Sequence, residues 1–372
     1  MIYLDNGATS LHKPQCVSEA VKQALDTCAN PGRGGHRPAM EAARTVLRCR
    51  ETAAEMFDCE PEQVVFTSNC THGLNIAISS LVKPGDRVAV SGFEHNAVIR
   101  PLHRIAGEII VCGRKLFDWD DTLEQFEKNL KKGVDAAIFT HVSNAFGYIL
   151  PVEEMAMLCG QYGVPFAIDA AQSAGVLPVK LRTLGADYIA MPGHKGLLGP
   201  QGTGILLCNA MPHPLIAGGT GSLSHQLQMP DFLPDRAEAG TLNVPGIAGL
   251  DAGMRYLNRI GIERVFRREQ QEADRCIRGL KKMGYQVFSG EHQSGTVSFV
   301  PDMDCEQVAN MLGQRGVAVR AGLHCAPIAH KSAGTLESGT VRVSFGHDSA
   351  PEQTNCFLQT LFHLGKSEKN FM

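Results

Sequence analysis

The chain has 372 residues, a formal net charge of −3 and 44% hydrophobic residues. This length favours a large domain with a smaller one over a single small core. The charge balance, and the lack of a basic stripe with interleaved aromatic residues, argue against a nucleic-acid surface. No apolar stretch is long enough to span a bilayer, and the first residues carry no signal-peptide pattern. We therefore expect a cytoplasmic globular enzyme that binds neither nucleic acid nor membrane.

The twelve cysteines are widely spaced, and the two nearest, Cys49 and Cys59, are ten residues apart. The chain therefore has no CxxC pair, which excludes zinc ribbons and thioredoxin-type motifs. Several cysteines, such as Cys159 and Cys208, lie in apolar segments, where cysteine behaves as a small buried hydrophobe. In a reducing compartment we expect most of them to be free thiols.

The first sixty residues are predicted to hold a short strand and turn at 3–10, a helix from about 15 to 28, and an amphipathic helix over 39–57. Between the helices lies the sequence NPGRGGHRP, whose glycines and arginines exclude regular structure. Its simplest interpretation is a flexible loop.

From about residue 64 to residue 208, strand-like and helix-like segments alternate. The strand-like runs are apolar and rich in β-branched residues, and they cover 64–67, 87–91, 109–112, 136–140, 164–168 and 188–191. This alternation predicts a mostly parallel sheet with helices on both faces.

The last third of the chain has a mixed pattern. Residues 212–235 are rich in Gly, Ser, His and Pro and are predicted to be a long loop. Long helices follow from 244 to about 282. The remaining elements are strands at 285–288, 296–299, 318–320 and 340–344, and helices from 304 and from 350. We expect a small α+β domain here, joined in space by the first dozen residues.

Two chemical groups follow predicted buried strands. Asp169 ends the run VPFAID, and Lys195 lies in the glycine-containing loop PGHKG. In open α/β sheets, ligands bind outside these strand ends. A partly desolvated lysine loses proton affinity, and its amine can form a Schiff base. Pyridoxal phosphate needs this pair, because a lysine holds its aldehyde carbon and a carboxylate keeps its ring nitrogen protonated.

Each residue alone has a simpler interpretation. Asp169 could be a helix cap, and Lys195 could be an exposed loop residue. Gln172, three residues after the aspartate, and His194, beside the lysine, favour the functional interpretation of the pair.

A series of segments extends this pattern over nearly the whole chain: YLDNGATS, FTSNCTHGLN, EHNAV, HVSNAFG, DAAQSAG, GHKG with GPQGTG, EAGTLN, and RAGLHCAP followed by VRVSFG. In this order they resemble the cysteine desulfurases, a class V aminotransferase branch of the fold-type I pyridoxal phosphate (PLP) enzymes. The resemblance implies an α/β PLP-dependent transferase with a mostly parallel seven-stranded sheet and a smaller α+β domain. It places the large PLP-binding domain at residues 15–245 and the small domain at 1–14 and 246–372.

The resemblance also assigns roles around the cofactor. Lys195 would hold the aldehyde, Asp169 the ring nitrogen, and His95 would stack on the ring and act in catalysis. The remaining contacts implied for the cofactor fall on Gln172, Asn144, Cys70, Thr71, His194 and, from the second subunit of a homodimer, Thr241. The simpler interpretations are a helix cap for Thr71 and a turn residue for Asn144.

Two further features of the cofactor region follow from the resemblance. Pro192 stands where many members of the family have a phosphate-binding serine, so Thr71, His194 and Thr241 would do more of that work. The glycine-rich loop with Arg33 and His36 would lie near the active site and the partner subunit.

Cys325 lies in RAGLHCAPIAHKSAG, a polar loop between two predicted strands. Alone it could be a buried cysteine, and its neighbours His324 and His330 make only a weak metal site, so we expect no metal. The resemblance makes Cys325 the sulfur acceptor and implies substrate binding by Arg342, Arg320 and Asn144.

The implied reaction converts L-cysteine to L-alanine and leaves a persulfide on Cys325. An acceptor protein or a small thiol would collect this sulfur, as in iron–sulfur cluster assembly. The segment after Cys325 is short and begins with Ala326 and Pro327. It is similar to the desulfurases with a short cysteine loop, which commonly need a dedicated acceptor and often act on selenocysteine.

Three alternatives stay open. Selenocysteine lyase could be the main activity. The chain could be a PLP aminotransferase or epimerase-like enzyme without desulfurase activity, or a non-catalytic sulfur carrier, because a fold alone does not fix function. Alanine production from cysteine distinguishes a desulfurase from a PLP enzyme without desulfurase activity. A bound cofactor argues against a non-catalytic sulfur carrier.

Overall fold

The computed structural model describes residues 1–32 and 34–369, with side chains described as far as residue 365. Arg33 lies outside the described residues. The strands are β1 (Ile2–Tyr3), β2 (Val64–Thr67), β3 (Arg87–Ser91), β4 (Glu108–Cys112), β5 (Ala136–Thr140), β6 (Phe166–Asp169), β7 (Tyr188–Pro192), β8 (Gly204–Cys208), β9 (Gln286–Phe288), β10 (Thr296–Val300), β11 (Val317–Ala318), β12 (Arg320–Gly322) and β13 (Thr340–Ser344). The α-helices are α1 (Gln15–Thr27), α2 (Arg37–Phe57), α3 (Cys70–Leu81), α4 (Asn96–Ile105), α5 (Trp119–Leu130), α6 (Val152–Tyr162), α7 (Leu181–Leu184), α8 (Val244–Ile260), α9 (Ile262–Lys282), α10 (Cys305–Gln314), α11 (Pro327–Ala333) and α12 (Pro351–Lys369).

A seven-stranded sheet forms the centre of the molecule, in the order β2-β8-β7-β6-β5-β3-β4. Strand β8 is antiparallel to both of its neighbours, and the other six strands run in one direction. The prediction of an α/β fold with a mostly parallel seven-stranded sheet is confirmed. Strands β5 to β8 are buried along their whole length, and burial on both faces explains their continuous apolar runs.

Alternate residues of each central strand enter two different hydrophobic cores. Phe139 of β5 packs into a core with α2, α5, α6 and α8, whereas Ile138 packs with α3 and α4 on the opposite face. The two-residue side-chain period of a strand therefore covers both faces with helices. The register sets Thr140, Asp169 and Ala190 side by side, which brings the carboxyl ends of β5, β6 and β7 to one edge.

A second, antiparallel sheet has the order β12-β13-β10-β9 and packs against α9, α10 and α12. The chain start joins it, because β1 pairs in parallel with β11 and Asp5 bridges to Ser344. The division into two domains stays a prediction. The proposed boundary at residue 245 falls in the first turn of α8, which packs against α1 and α2.

Some sequence-based elements need correction. The single strand predicted over 318–320 is wrong, because Val317–Ala318 and Arg320–Gly322 belong to different sheets. Helices Leu181–Leu184 and Pro327–Ala333 were not predicted, and the second replaces much of the loop expected after Cys325. The long loop is confirmed, since residues 209–243 contain neither helix nor strand. None of the helices described is long and apolar enough to cross a membrane.

Helix α9 carries a carboxyl group into the interior. The side chain of Glu269 is buried beside Gly295, and no hydrogen bond reaches it from the described residues. Burial raises its pKa to about 8, and the negative charge of Asp348 adds to the shift. His347 lines the same small cavity. Glu269 is therefore more easily ionised in the unfolded chain than in the folded protein.

We expect Glu269→Gln to gain stability over the wild type as the pH rises. The folded-state pKa lies above the ordinary value of 4.5, so the wild type loses stability between about pH 4.5 and pH 8, where Glu269 ionises in the unfolded chain but stays protonated in the folded protein. Glutamine does not titrate. The difference in free energy of unfolding, variant minus wild type, should rise by on the order of 3 kcal/mol between about pH 5.5 and pH 8.5. Denaturant titrations at several pH values measure this difference in free energy. The control Glu263→Gln, which is exposed on α9, should show no such rise. A pH-independent difference for Glu269→Gln would contradict the prediction.

Candidate active site

A cleft lies at the carboxyl edge of the parallel strands. Asp169 ends β6, and His95, Asn144 and Lys195 follow β3, β5 and β7. Neighbouring parallel strands deliver these residues to the same edge. Eight residues predicted to contact the cofactor line this cleft: Cys70, Thr71, His95, Asn144, Asp169, Gln172, His194 and Lys195.

Lys195 lies in a tightly packed turn after β7. A Cβ atom on Gly193 would meet the Thr203 hydroxyl at 2.1 Å, and one on Gly196 would meet the Ala174 carbonyl oxygen at 2.3 Å, so only glycine fits on either side. Within the described part of the chain, Nζ of Lys195 makes no hydrogen bond. Burial lowers the pKa of Lys195, although the negative charge of Asp169 opposes the shift. A larger fraction of this amine is therefore neutral and nucleophilic.

Asp169 is 2% exposed and presents its two oxygens differently. Its Oδ1 accepts a hydrogen bond from the Ala171 amide at 2.9 Å and from the Cys70 thiol at 3.4 Å. Its Oδ2 has no donor among the described residues. One oxygen is thus fixed by the protein, and the other is left for a ligand.

His95 caps helix α4 with its ring. Its Nδ1 accepts a hydrogen bond from the Ala97 amide at 3.0 Å, so a neutral ring carries its proton on Nε2. Burial lowers the pKa of His95, and Asp169 opposes this shift.

The preceding Glu94 is fully buried, and its Oε1 accepts a hydrogen bond from the Thr140 amide at 2.9 Å, which ties the end of β3 to the end of β5. Sequence reasoning missed Glu94, although its place in EHNAV beside His95 was visible.

The first turn of α3 closes one end of the cleft. Asn69 caps the helix by accepting from the His72 amide at 2.9 Å. The amides of Cys70 and Thr71 lie in the same turn, where a helix has no internal acceptors and carries partial positive charge. Free amides at this end suit a phosphate group.

His194 and Pro192 lie on the cleft wall near this end. The His194 Nδ1 is 3.0 Å from the Thr9 hydroxyl. Burial, together with the nearby Lys195, lowers the pKa of His194 to about 4, so the ring is neutral at neutral pH. Pro192 has no hydroxyl group, so any polar contact here must come from other residues.

Cys325 is exposed and lies between β12 and α11, outside the set of residues lining the cleft. Its backbone and that of His324 are left-handed, with φ of 56° and 48°. Two hydrogen bonds hold the turn. The Cys325 carbonyl accepts from the Asn96 amide at 2.7 Å, and the His324 carbonyl accepts from Asn144 Nδ2 at 2.7 Å. The turn is therefore held on two elements that form the cleft.

The two predicted substrate-binding arginines share one carboxylate. Arg342 is 2% exposed and donates from Nη2 to Asp5 Oδ1 at 2.8 Å and from Nη1 to the Asn144 carbonyl at 2.9 Å. Its Nε has no hydrogen-bond partner among residues 1–32 and 34–369. Arg320 is half exposed and pairs with Asp5 Oδ2 at 2.8 Å. Sequence reasoning missed Asp5, because only the register that sets Arg320 opposite Arg342 brings the three residues together.

The other predicted residues lie as follows. The Gln172 amide donates to the Gly7 carbonyl at 2.9 Å and thus fastens the N-terminal segment to the cleft. Thr241 is exposed and lines a different cavity, so this chain does not bring it into its own cleft. His36 caps helix α2 and does not line the cleft.

His324 and His330 are buried with ring centroids 5.5 Å apart. His324 Nε2 is 3.1 Å from the Thr340 hydroxyl, and His330 Nδ1 is 2.8 Å from the Thr335 hydroxyl. Burial lowers the pKa of both rings, that of His330 to about 4. The residues described contain no group of three His, Cys, Asp or Glu side chains that could hold a metal ion.

Comparison with known proteins identifies the family. The sequence matches the Aminotransferase class-V family over residues 2–357, so the chain belongs to this family. It is 35% identical to a probable cysteine desulfurase of Pyrococcus abyssi, over 99% of this chain and 95% of that protein. It is 32% identical to one of Methanothermobacter thermautotrophicus, over 97% and 94%. The apo structure of a cysteine desulfurase from Thermococcus onnurineus superposes with a TM-score of 0.91 at 34% identity, covering 98% and 95% of the two chains.

We expect pyridoxal phosphate, followed by borohydride reduction, to label Lys195. The lowered pKa and the open position on the cleft favour attack of this amine on an aldehyde. Peptide mass spectrometry should find the label on Lys195 and lose it in Lys195→Ala. The matched variant Lys83→Ala, which removes an exposed lysine, should keep the label. Labelling spread over surface lysines would contradict the assignment.

Proposed function

We propose that the protein is a PLP-dependent cysteine desulfurase that converts L-cysteine to L-alanine and carries the released sulfur as a persulfide on Cys325. One observation supports this above all: the cleft with Lys195 and Asp169 is joined through Asn144 to the turn that presents an exposed cysteine. The relatives with this name cover almost the whole chain.

The residues of the cleft fit PLP. Lys195 offers to the aldehyde an amine that makes no hydrogen bond with the residues described, and Asp169 offers Oδ2, which has no donor among them, to the ring nitrogen. The buried Oδ1 of Asn144 also lacks a donor in the described part of the chain and suits a hydrogen-bonding group of the ligand. The first turn of α3 offers amides to the phosphate, and the neutral His95 ring offers an apolar face to the pyridine ring.

When bound, PLP supplies an electron sink for the pair left behind by deprotonation at the substrate Cα. Lys195 would hold the aldehyde of the cofactor, and its amine, when released, would take the substrate Cα proton. Asp169 would keep a proton on the ring nitrogen. Its buried position strengthens this interaction.

The substrate carboxylate is recognised by the arginines. Guanidinium binds carboxylates in a bidentate way, and Arg342, with a free Nε, lies beside the Asn144 carbonyl. Asp5 already occupies Nη2 of Arg342. Arg320 also pairs with Asp5. It can therefore keep the Asp5 carboxylate in place when the substrate carboxylate approaches Arg342.

Cys325 acts as the sulfur acceptor. Its thiolate attacks the substrate sulfur, an S–S bond forms and the Cβ–S bond breaks. The electrons of the broken bond stay with the carbon, which takes up a proton and becomes the methyl group of alanine. Exposure of Cys325 lets an acceptor protein or a small thiol collect the sulfur, for uses such as iron–sulfur cluster assembly in the cytoplasm.

The protein acts as a homodimer in this proposal. The loop over residues 209–243 exposes large apolar side chains, among them Leu227, Ile216, Phe232 and Met211. Thr241, at the end of this loop, is exposed and does not line the cleft of its own chain. A second subunit would cover this surface and receive Thr241 at its cofactor phosphate.

Cys325→Ser should keep the bound cofactor but lose the persulfide, and alanine release from L-cysteine should fall to the background rate, because a hydroxyl cannot accept sulfur. Amino-acid analysis and intact-protein mass spectrometry measure the two products. Cys356→Ser removes the other exposed cysteine described and should behave as the wild type. Alanine release at the wild-type rate by Cys325→Ser would contradict the proposal. The same assay with L-selenocysteine tests that substrate.

Mixed dimers test the placement of Thr241. One subunit carries Lys195→Ala and the other Thr241→Val. If Thr241 serves the partner's site, one site remains intact and binds PLP with wild-type affinity. The reciprocal dimer, with both substitutions in one subunit, should bind about ten-fold more weakly, because a hydrogen bond to a charged group contributes ~1.5–3 kcal/mol. Equilibrium titration of the two mixed dimers with PLP measures these affinities. The opposite order of affinities would place Thr241 in its own subunit's site, and a monomer in sedimentation would contradict the dimer.

A further inference from the structure

The Cys70 thiol contacts the carboxylate of the cleft. Its Sγ lies 3.4 Å from Asp169 Oδ1, and the residue is 8% exposed. Within the described chain it is the only cysteine whose thiol donates a hydrogen bond to a carboxylate; Cys112 and Cys208, for example, donate to the carbonyls of Ile110 and Leu206 in their own strands. The side chain of Cys70 is thus directed at Asp169, while its backbone belongs to the first turn of α3.

This environment makes Cys70 a donor and not a nucleophile. Burial, with the negative charge of Asp169, raises the pKa of the thiol well above its ordinary value. The proton therefore stays on sulfur and points to Oδ1. Cys70 is excluded as a second sulfur acceptor, because attack on sulfur needs a thiolate.

The thiol is the second hydrogen-bond donor to Oδ1 of Asp169. Oδ1 accepts from the Ala171 amide and from Cys70, which leaves Oδ2 as the oxygen open to the cofactor ring. Hydrogen bonds to an ionised carboxylate stabilise that form. A carboxylate with fewer donors would be more basic, and it would compete more strongly for the proton on the ring nitrogen.

We propose that Cys70 is a positioning residue that holds the Asp169 carboxylate with Oδ2 directed to the bound pyridine ring, so that the ring keeps the proton on its nitrogen. This inference rests on the proposed function, because it needs PLP in the cleft. The proposed role differs from a contact between Cys70 and the cofactor phosphate. The thiol would act through Asp169 at the ring nitrogen and not at the phosphate.

The test uses the dimeric holoenzyme, reconstituted with PLP that carries ¹⁵N in the ring. In Cys70→Ala, the ¹⁵N resonance should move toward the value of the unprotonated ring, and exchange of the substrate Cα proton in D₂O should slow by about ten-fold, equivalent to 1.36 kcal/mol. PLP affinity should change by less than about three-fold, since the amides of the turn stay in place. Cys208→Ala, which removes an equally buried thiol in β8, should leave the resonance unchanged.

Cys70→Ser is the conservative variant. Its hydroxyl is a better donor than a thiol, so the ring nitrogen should stay protonated and the exchange rate should stay near the wild-type value. This variant keeps the inference testable if Cys70→Ala does not fold, because a shift toward the unprotonated ring in Cys70→Ser would overturn it. A Cys70→Ala enzyme with weakened PLP binding and an unchanged ¹⁵N resonance would also overturn it, in favour of a phosphate contact. A wild type that binds no PLP would overturn the proposed function itself.

Discussion

The site depends on one constraint, the register of three parallel strands. Hydrogen bonding sets Thr140, Asp169 and Ala190 in line, so that the residues after β5, β6 and β7 enter the same cleft. Asp169 lies at the centre of this edge and has little freedom, because it ends a strand that is buried along its length. A slip of one residue would turn its side chain to the other face of the sheet. The sheet therefore sets the position of the carboxylate, and the packed turn that follows β7 sets the position of Lys195.

Desolvation then gives these groups their chemical character. Burial lowers the pKa of Lys195 and of His95, and the carboxylate of Asp169 limits both shifts. Burial also raises the pKa of Glu94 to about 8. Burial in the cleft thus favours the neutral forms of the Lys195 amine, the His95 imidazole and the Glu94 carboxyl group.

Most of the fold could be predicted, because its signals are local. Continuous apolar runs indicate buried parallel strands. These runs predicted the strands at 64–67, 87–91 and 136–140 with their observed bounds. The residues of the cleft followed from the strand ends and the ordered motifs. Asp5 could not be found in this way, because its partner Arg342 is 337 residues away in the chain. The split of 318–320 into two strands also depends on which distant strands are available for pairing.

The two cysteines closest to the chemistry show why residue type alone does not define a role. Cys70 lies inside the cleft next to a carboxylate, and its environment keeps the proton on sulfur. Cys325 lies outside, exposed, on a turn whose two carbonyls are fixed by Asn96 and Asn144. These two hydrogen bonds hold the backbone of the turn, and the Cys325 side chain is exposed. In the proposed function a sulfur acceptor would meet the surface around Cys325, and Arg320, which lies near Cys325, contributes its positive charge to this surface.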